Sequence, residues 1–150
     1  MRITEWDKSE PAPMDLLLMA DPSEPLVHAY LQKGTCMLAR HEGIVVGTYV
    51  LLPTSKQTIE LVNLAVAQNA QGKGLGKYLV CHAIETGRCL GYNRMEVGTG
   101  NSSIGPLALY QKCGFRISAV DIDFFTRNYT ERIEENGIVC RDMIRMYKEL

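Results

Sequence analysis

The order of apolar and polar residues along the chain predicts a sheet accompanied by helices. Segments in which apolar residues alternate or run together predict strands at about 2–6, 35–41, 44–52, 58–66, 94–98, 115–127 and 138–148. Prolines, an N-cap signal at Ser23 and glycine stops at Gly34 and Gly114 predict helices at about 14–20, 23–33 and 106–113. A further helix is expected to follow a glycine-rich stretch and to end near Leu90.

Glycine and proline mark where several of these segments begin and end. Glu42-Gly43 and Asn136-Gly137 are typical of hairpin turns, because glycine adopts positive φ angles without strain. Pro106 is expected at the first position of its helix, and Gly114 just past the end of that helix. Near Ala119 the inward-facing positions change parity, which predicts a β-bulge in that strand.

The connections between segments predict the fold class. A helix connects the strands at 58–66 and 94–98, so these two are expected to be parallel neighbours with a right-handed crossover. Short turns join the strands before them into an antiparallel meander. We therefore predict an α/β (α+β) fold, with a mixed, mostly antiparallel sheet of six or seven strands and helices on both faces. A chain of 150 residues fits one domain, residues 1–150.

Charge and hydropathy make several classes of protein improbable. The formal net charge is −1, and lysine and arginine are spread along the chain, so no basic surface for nucleic acid is expected. The amino terminus is too polar for a signal peptide, and no apolar run approaches the ~20 residues that a membrane-spanning helix needs. We therefore expect a cytoplasmic protein that does not bind membranes.

The cysteine pattern indicates neither disulfides nor a metal site. The chain has five cysteines, an odd number, and no Cys-x-x-Cys pair. Its three histidines are scattered without the spacing of metal ligands. We expect the cysteines to be reduced and mostly buried, and we expect no bound metal.

The glycine-rich stretch from Gln71 to Lys77 is the strongest candidate for a ligand site. It follows the apolar strand at 58–66 and leads into a helix, whose first N–H groups are unpaired and carry partial positive charge. Glycines allow a ligand to approach those amides closely, and Lys73 and Lys77 add charge, so the stretch predicts a pyrophosphate site. Neither the triphosphate loop nor the dinucleotide loop fits the spacing, since Tyr78 follows Lys77 where the triphosphate loop needs Ser or Thr.

Two ordered motifs together resemble one family. The first is Gln-x-x-Gly-x-Gly after a strand that ends Leu64-Ala65-Val66, and the second is the segment from Leu109 to Phe115. Both resemble motifs of the GNAT superfamily of acetyl-CoA-dependent N-acetyltransferases, over about residues 35 to 120. The resemblance implies a GNAT-like sheet in which the strand at 58–66 splays from the one at 94–98. In that family the pantetheine of acetyl-CoA inserts into the gap like an added strand.

The same resemblance implies the residues that would bind acetyl-CoA. The main-chain groups of Leu64 and Val66 would bind pantetheine, and the Leu64 N–H would stabilise the oxyanion. The pyrophosphate would be held by Gln71, Gly72, Lys73, Gly74, Leu75, Gly76 and Lys77. Relatives often carry an asparagine seven residues before the motif's tyrosine; here Ser103 stands at that position and Asn101 two residues earlier. Either is a candidate contact for pantetheine, and an N-cap is the alternative role for both.

Catalytic roles follow from the resemblance and from the chemistry of amines. Tyr110 matches the family's frequent general acid, which would assist departure of the CoA thiolate. An alkyl amine exists mostly as its ammonium form at neutral pH, so a base must remove a proton before the nitrogen can attack the thioester. Glu60 is the candidate, since it stands four residues before Leu64 and is expected on the same strand face. An ion pair at the strand end is the alternative role for Glu60, and Glu96 is the alternative base.

The amine acceptor is the least defined part of the prediction. Acidic residues near the last two strands could attract a cationic amine, with three aromatic residues as a wall; a solvated acidic loop is the alternative. They are Asp121, Asp123, Glu131, Glu134 and Glu135, with Phe124, Phe125 and Tyr129.

We predict an N-acetyltransferase acting on a primary amine of a small molecule or peptide, by direct attack through a tetrahedral intermediate. The alternative is a non-catalytic acyl-CoA-binding or sensing module. Apolar positions on the last strand, Val139, Met143 and Tyr147, leave a homodimer possible.

Overall fold

The computed structural model describes all 150 residues and contains nine strands and five helices. The strands are β1 (Arg2–Glu5), β2 (Thr35–His41), β3 (Ile44–Pro53), β4 (Thr58–Val66), β5 (Arg94–Gly100), β6 (Arg116–Asp121), β7 (Glu134–Glu135), β8 (Ile138–Val139) and β9 (Met143–Glu149). The helices are α1 (Met14–Ala20), α2 (Glu24–Lys33), α3 (Leu75–Cys89), α4 (Ile104–Lys112) and α5 (Phe124–Asn128). Seven strands form one sheet in the order β1-β2-β3-β4-β5-β9-β6, and β7 and β8 form a separate hairpin. The predicted mixed, mostly antiparallel sheet is confirmed.

β4 and β5 are the single parallel pair of the sheet, as predicted. Their pairing begins at Thr58 and Arg94 and stops at Leu61 and Val97. β4 continues to Val66 without a partner on that side, so the carboxyl-terminal parts of the two strands diverge. The gap this leaves in the sheet positions the candidate site.

Helices cover both faces of the sheet, which also agrees with the prediction. On one face α3 buries Leu79, Val80 and Ala83 in a core that includes Tyr49 of β3. On the other face residues of α1 and α2 pack in a second core with Val50, the next residue of β3. Neighbouring residues of a strand point to opposite faces, so β3 contributes to both cores.

A β-bulge at Val62 interrupts the regular alternation of β4, because the pairing with β3 slips by one residue there. Leu61 and Leu64 both pack into the core on the α3 side, although they are three positions apart. Glu60, the neighbour of Leu61, therefore lies on the opposite face from Leu64. The predicted shared face of Glu60 and Leu64 is wrong, since counting by twos along a strand holds only where no bulge intervenes.

The carboxyl-terminal third of the chain is more broken than predicted. The expected bulge lies between Ile117 and Ala119, but β6 ends at Asp121 and α5 replaces the rest of the predicted strand. Asp123 has a φ of 61° and its N–H donates to a carboxylate oxygen of Asp142 at 2.9 Å, which turns the chain out of the sheet. The predicted strand at 138–148 is likewise divided into β8 and β9. The Asn136-Gly137 turn joins β7 to β8, as expected of a hairpin.

Two local predictions need correction. Helix α4 begins at Ile104, which places Pro106 at its third position instead of its first. The first N–H groups of a helix lack partners in any case, so the proline removes no hydrogen bond there. Two cysteines, Cys36 and Cys140, are buried, whereas Cys81 and Cys89 are exposed, so the cysteines are not mostly buried; all five are free thiols. None of the five helices is long and apolar enough to cross a bilayer.

Candidate functional site

The divergence of β4 and β5 opens a cavity of about 470 Å³ in the sheet. Its floor is the run of β4 from Leu61 to Val66, faced by Gly98 and Thr99 of β5. Residues 18–20, at the carboxyl-terminal end of α1, line one side together with Pro22 just beyond the helix. Residues of α4, including Tyr110, line another side. The hairpin of β7 and β8 adds Glu135, with Ile133 just before it. The cavity thus has walls from four separate parts of the chain.

The main chain of β4 offers polar groups to this cavity. The N–H of Ala67 donates to the C=O of Val46 at 2.8 Å, and Gly47 lies opposite Val66. The N–H of Ala67 thus points toward β3. Successive residues of a strand direct their N–H groups to opposite sides, so Leu64 and Val66, which are odd numbers of residues from Ala67, direct theirs away from β3. β5 no longer pairs with β4 at this point. The N–H groups therefore form an open strand edge to which an extended ligand can add.

The glycine-rich stretch lies at the end of β4 and leads into α3, as predicted. Gly72 and Gly74 have φ angles of 76° and 84°, which side-chain-bearing residues rarely adopt. Gly74 is the N-cap of α3 and no side chain caps that end, so its first N–H groups face outward. Gln71 donates from Nε2 to the Val66 C=O at 3.0 Å, which ties the loop to the strand. The arrangement suits an anion at the start of α3.

A second groove, of about 440 Å³, runs from this loop to α4. Gly72, Gly74, Leu75 and Gly76 form one side of it, and the first turns of α4 with Gly105 and Pro106 form the other. It shares residues Leu64, Val66, Gln71, Pro106 and Tyr110 with the first cavity. The two spaces are therefore joined, and Tyr110 stands where they meet.

The two lysines of the loop lie outside the groove walls. Lys73 is exposed and its Nζ donates to the Asn69 C=O at 3.4 Å, while it lines a separate hollow beside Gly74. Lys77 is exposed on the first turn of α3. Their charges flank the amides, and they do not form the surface that a ligand in the groove would touch.

Tyr110 is almost completely buried, with 7% of its surface exposed. Its ring packs edge-on against Phe115, with centroids 5.8 Å apart, and its hydroxyl makes no hydrogen bond within the protein. Burial, together with the neighbouring Cys113 thiol, raises the pKa of Tyr110 well above its ordinary value. The hydroxyl therefore stays protonated and available as a donor where the two cavities meet.

The glutamates predicted as bases are engaged elsewhere. Both carboxylate oxygens of Glu60 accept hydrogen bonds from the Arg145 guanidinium, at 3.3 Å each. Glu96 lies 3.8 Å from the same guanidinium and accepts from Nε of Arg94 at 3.1 Å. Neither glutamate lines either cavity, so the structure does not bring them to Tyr110. The geometry favours the alternative weighed for Glu60, an ion pair on the sheet.

The structure distinguishes the two candidates for the pantetheine contact. The Asn101 side chain is occupied within the protein: Oδ1 accepts from the N–H groups of Arg141 at 2.8 Å and Asp142 at 3.0 Å, and Nδ2 donates to the Val139 C=O at 3.1 Å. These bonds hold the segment between β8 and β9. Ser103 lines the first cavity, and although its Oγ donates to Glu135 Oε1 at 3.0 Å, the same oxygen can still accept a hydrogen bond. The predicted contact for Asn101 does not fit this arrangement, whereas that for Ser103 does.

Of the five acidic residues considered for the acceptor, Glu135 alone lines the first cavity. Asp121 pairs with Arg127 at 2.6 Å and Glu134 with Arg132 at 3.1 Å, both on the surface. The sequence analysis missed other wall residues, among them Asn63, Thr99 and Gly105. The Gly105-Pro106 pair at the start of α4 was a usable signal, since glycine permits close approach of a ligand. The structure contains no group of three or more His, Cys, Asp or Glu side chains placed to hold a metal ion.

Comparison with known proteins gives consistent matches. The model of the acetyltransferase (GNAT) family matches residues 2–115. A Bacillus subtilis protein described as the uncharacterized N-acetyltransferase YvbK is 53% identical over 100% of this chain and 97% of its own length. A GNAT family acetyltransferase from Elizabethkingia anophelis, crystallised with acetyl-CoA bound, is 44% identical, with a TM-score of 0.98 over 99% of this chain and 97% of that one. A Bacillus subtilis acetyltransferase in complex with CoA is 53% identical, with a TM-score of 0.95 over 99% and 98% of the two chains.

Proposed function

Since this chain belongs to the GNAT family of acetyltransferases, we propose that it moves the acetyl group of acetyl-CoA to a primary amine of a small molecule or peptide. The chain is an acyltransferase of the N-acetyltransferase class. The observation that carries the proposal is the junction of two cavities at Tyr110, beside the open edge of β4. The second groove has the glycine loop at its far end, and the first cavity is enclosed by α1 and the hairpin.

We assign the groove between the glycine loop and α4 to acetyl-CoA. The pyrophosphate would lie against the amides from Gln71 to Lys77, where the start of α3 is positively polarised. The pantetheine would run along β4, with its amides bonding the main chain at Leu64 and Val66. Ser103 would contact the same arm from the opposite wall. The relatives that carry acetyl-CoA or CoA support this assignment.

The proposed reaction is direct attack through a tetrahedral intermediate. The amine nitrogen forms a bond to the thioester carbon, and the resulting oxyanion accepts a hydrogen bond from the Leu64 N–H. The C–S bond then breaks, the nitrogen loses a proton, and the CoA sulfur ends as a thiol. Because burial raises the pKa of Tyr110, its main contribution is a hydrogen bond to the departing sulfur, since full proton transfer from so weak an acid to a thiolate is uphill.

Measuring thiol release tests the proposal. The purified protein is incubated with acetyl-CoA and a panel of amines, and free CoA and the acetylated amine are both quantified. Thiol release with a matching acetylated product is expected for at least one amine. If CoA binds by calorimetry and no amine is acetylated, the chain is a binding or sensing module instead.

The role of Glu60 stays a prediction, and its pairing with Arg145 sets the expected result. We expect Glu60→Gln to retain turnover within about threefold at each pH, because a carboxylate that pairs on the sheet and lines neither cavity is not the proton acceptor. The variant's thermal midpoint should fall slightly, since a partly exposed pair contributes about 1 kcal/mol or less. Turnover that drops steeply below neutral pH and recovers as pH rises would restore Glu60 as the base.

A homodimer remains a proposal based on the apolar positions of the last strand. In the structure Tyr147 is covered on one side by the Arg94 guanidinium, 4.2 Å from the ring centroid, so part of that surface is already used. Sedimentation equilibrium would decide the matter, and a strict monomer at high concentration would contradict the proposal.

A further inference from the structure

The segment from Tyr129 to Asn136, which contains β7 and the turn of the hairpin, is held by a hydrogen bond at each of its ends. On the α4 side, Asn136 donates from Nδ2 to the Ser102 C=O at 2.9 Å. On the α1 side, the Tyr129 hydroxyl donates to Asp21, in the turn between α1 and α2, at 2.7 Å. These bonds place the hairpin as a wall opposite β4, and they hold the residues between them, including Glu135.

Glu135 itself is oriented by two hydroxyl groups. Its Oε1 accepts hydrogen bonds from Ser102 Oγ at 3.2 Å and Ser103 Oγ at 3.0 Å. Ser102 has none of its surface exposed, so this part of the site is fixed by the buried structure around α4. Oε2 has no hydrogen-bond partner in the protein. The carboxylate is thus held against the cavity with one oxygen free to accept.

The remaining lining of the cavity offers no positive charge to Glu135. The walls near the hairpin are apolar and are built by Leu18, Met19, Pro22 and Ile133. No lysine, arginine or histidine lines the cavity. Asn63 also lines it, but its unpartnered Oδ1 is itself buried and is not exposed to a ligand in the cavity. At the hairpin end of the cavity the unpartnered polar atom is Oε2 of Glu135, which is an acceptor, so a ligand group that complements it must be a donor.

We infer that Glu135 binds the ammonium group of the acceptor, and that the acceptor is a small cationic primary amine carrying an apolar body. This inference rests on the proposed transferase function and names the substrate class of that site. The ammonium donates to Oε2 of Glu135, while its apolar body packs against Leu18, Met19 and Ile133. Glu135 is an exposed residue at the rim of the cavity, so water screens its attraction for the cation, and the apolar wall beside it selects the body of the amine. Glu135 is thus a specificity-determining residue.

Binding measurements on the CoA-saturated protein test this without requiring turnover. Calorimetry compares phenethylamine with phenethyl alcohol and hexylamine with hexanol, pairs that differ in charge and share an apolar body. We expect the protein to bind each amine at least about tenfold more tightly than its alcohol, which is ~1.4 kcal/mol. In Glu135→Gln that preference should fall below about threefold, and Glu135→Asp, which keeps the charge, should regain part of it.

Glu134→Gln is the matched control, because Glu134 is the adjacent carboxylate of the hairpin, pairs with Arg132 and does not line the cavity. It should keep the full preference for amines. If Glu135 only supports the start of α4, Glu135→Gln will weaken CoA binding and lower the thermal midpoint while the preference for amines persists, which overturns the inference. Equal binding of amine and alcohol by the unmodified protein overturns it as well.

The outcomes separate this inference from the proposed function. Glu135-dependent binding of amines without acetylation of any amine would refute the transferase proposal and leave the ammonium site standing. Acetylation of these amines with a KM that Glu135→Gln leaves unchanged would refute the ammonium site alone.

Discussion

Replacing Gly74 with aspartate is expected to abolish measurable acetyl-CoA binding while the protein stays folded. Gly74 has a φ of 84° and a side chain there would meet no atom within 4 Å, so the substitution strains the backbone by only about 1–2 kcal/mol. The new carboxylate would sit at the N-cap of α3 and accept hydrogen bonds from the N–H groups proposed to hold the pyrophosphate. It would also repel that pyrophosphate. We expect the Kd for acetyl-CoA to rise at least about 100-fold, or ~2.7 kcal/mol.

Two control variants separate charge from strain. Gly74→Asn introduces nearly the same shape without the charge, and it should lose less affinity than Gly74→Asp. Gly91→Asp imposes a comparable strain just beyond the opposite end of α3, where φ is 92° and no atom lies within 4 Å. It should bind acetyl-CoA normally. Unchanged affinity in a folded Gly74→Asp protein, measured by calorimetry and thermal melting, would remove the cofactor assignment of the loop.

Replacing Tyr110 with phenylalanine is expected to lower turnover roughly 10²–10³-fold, the loss typical of removing one hydrogen-bond donor to transition-state charge, and to leave acetyl-CoA affinity nearly unchanged. The ring would keep its contact with Phe115, so the loss would be confined to the hydroxyl. The interaction lost is one made with the departing sulfur, which belongs to the transition state and not to the bound substrate. Tyr92→Phe, in a tyrosine that lines neither cavity, should show turnover close to that of the unmodified enzyme.

The pH dependence provides a second measurement on Tyr110. Burial raises its pKa above the ordinary value of about 10, so the hydroxyl should remain protonated throughout the range in which the folded enzyme works. Turnover should therefore rise with pH as the amine loses its proton, with no decline due to Tyr110 below about pH 10. An alkaline decline centred below that value, present in the enzyme and absent from Tyr110→Phe, would contradict the burial argument.

Local sequence signals predicted the elements that depend on local physics. The glycines at 72 and 74 indicated a loop with accessible amides at a helix start, and both adopt positive φ angles that only glycine takes without strain. The single parallel pair followed from one helical connection between two strands. Alternation failed at Val62 because a bulge is set by the pairing with β3, which a count along one strand does not contain.

Residue roles that depend on distant partners could not be predicted in the same way. Asn101 and Ser103 are equally plausible in the sequence, and the geometry that favours Ser103 comes from a segment forty residues away that occupies the Asn101 side chain. Glu60 gave no sign that Arg145, 85 positions later, would pair with it. Glu135 was one of five acidic residues near the last two strands, and nothing in the sequence separates it from the other four. The folding of the hairpin places it in the wall of the first cavity, beside Ser103.

The bulge at Val62 also bears on how β4 tolerates a change of length. The extra residue lies directly after Leu61, where pairing with β5 ends, so β4 consists of two half-strands in different phase. The first half completes the sheet, and the second presents its amides to the gap. In-frame deletion of the Val62 codon would leave Asn63 opposite Val50 and Leu61 opposite Leu51, as they are now, so regular alternation would return while Leu64 and Val66 keep their faces and the direction of their amides. The bulge therefore absorbs one residue of extra length before the ligand-facing half of the strand, and a change of length at this point leaves the phase of that half intact.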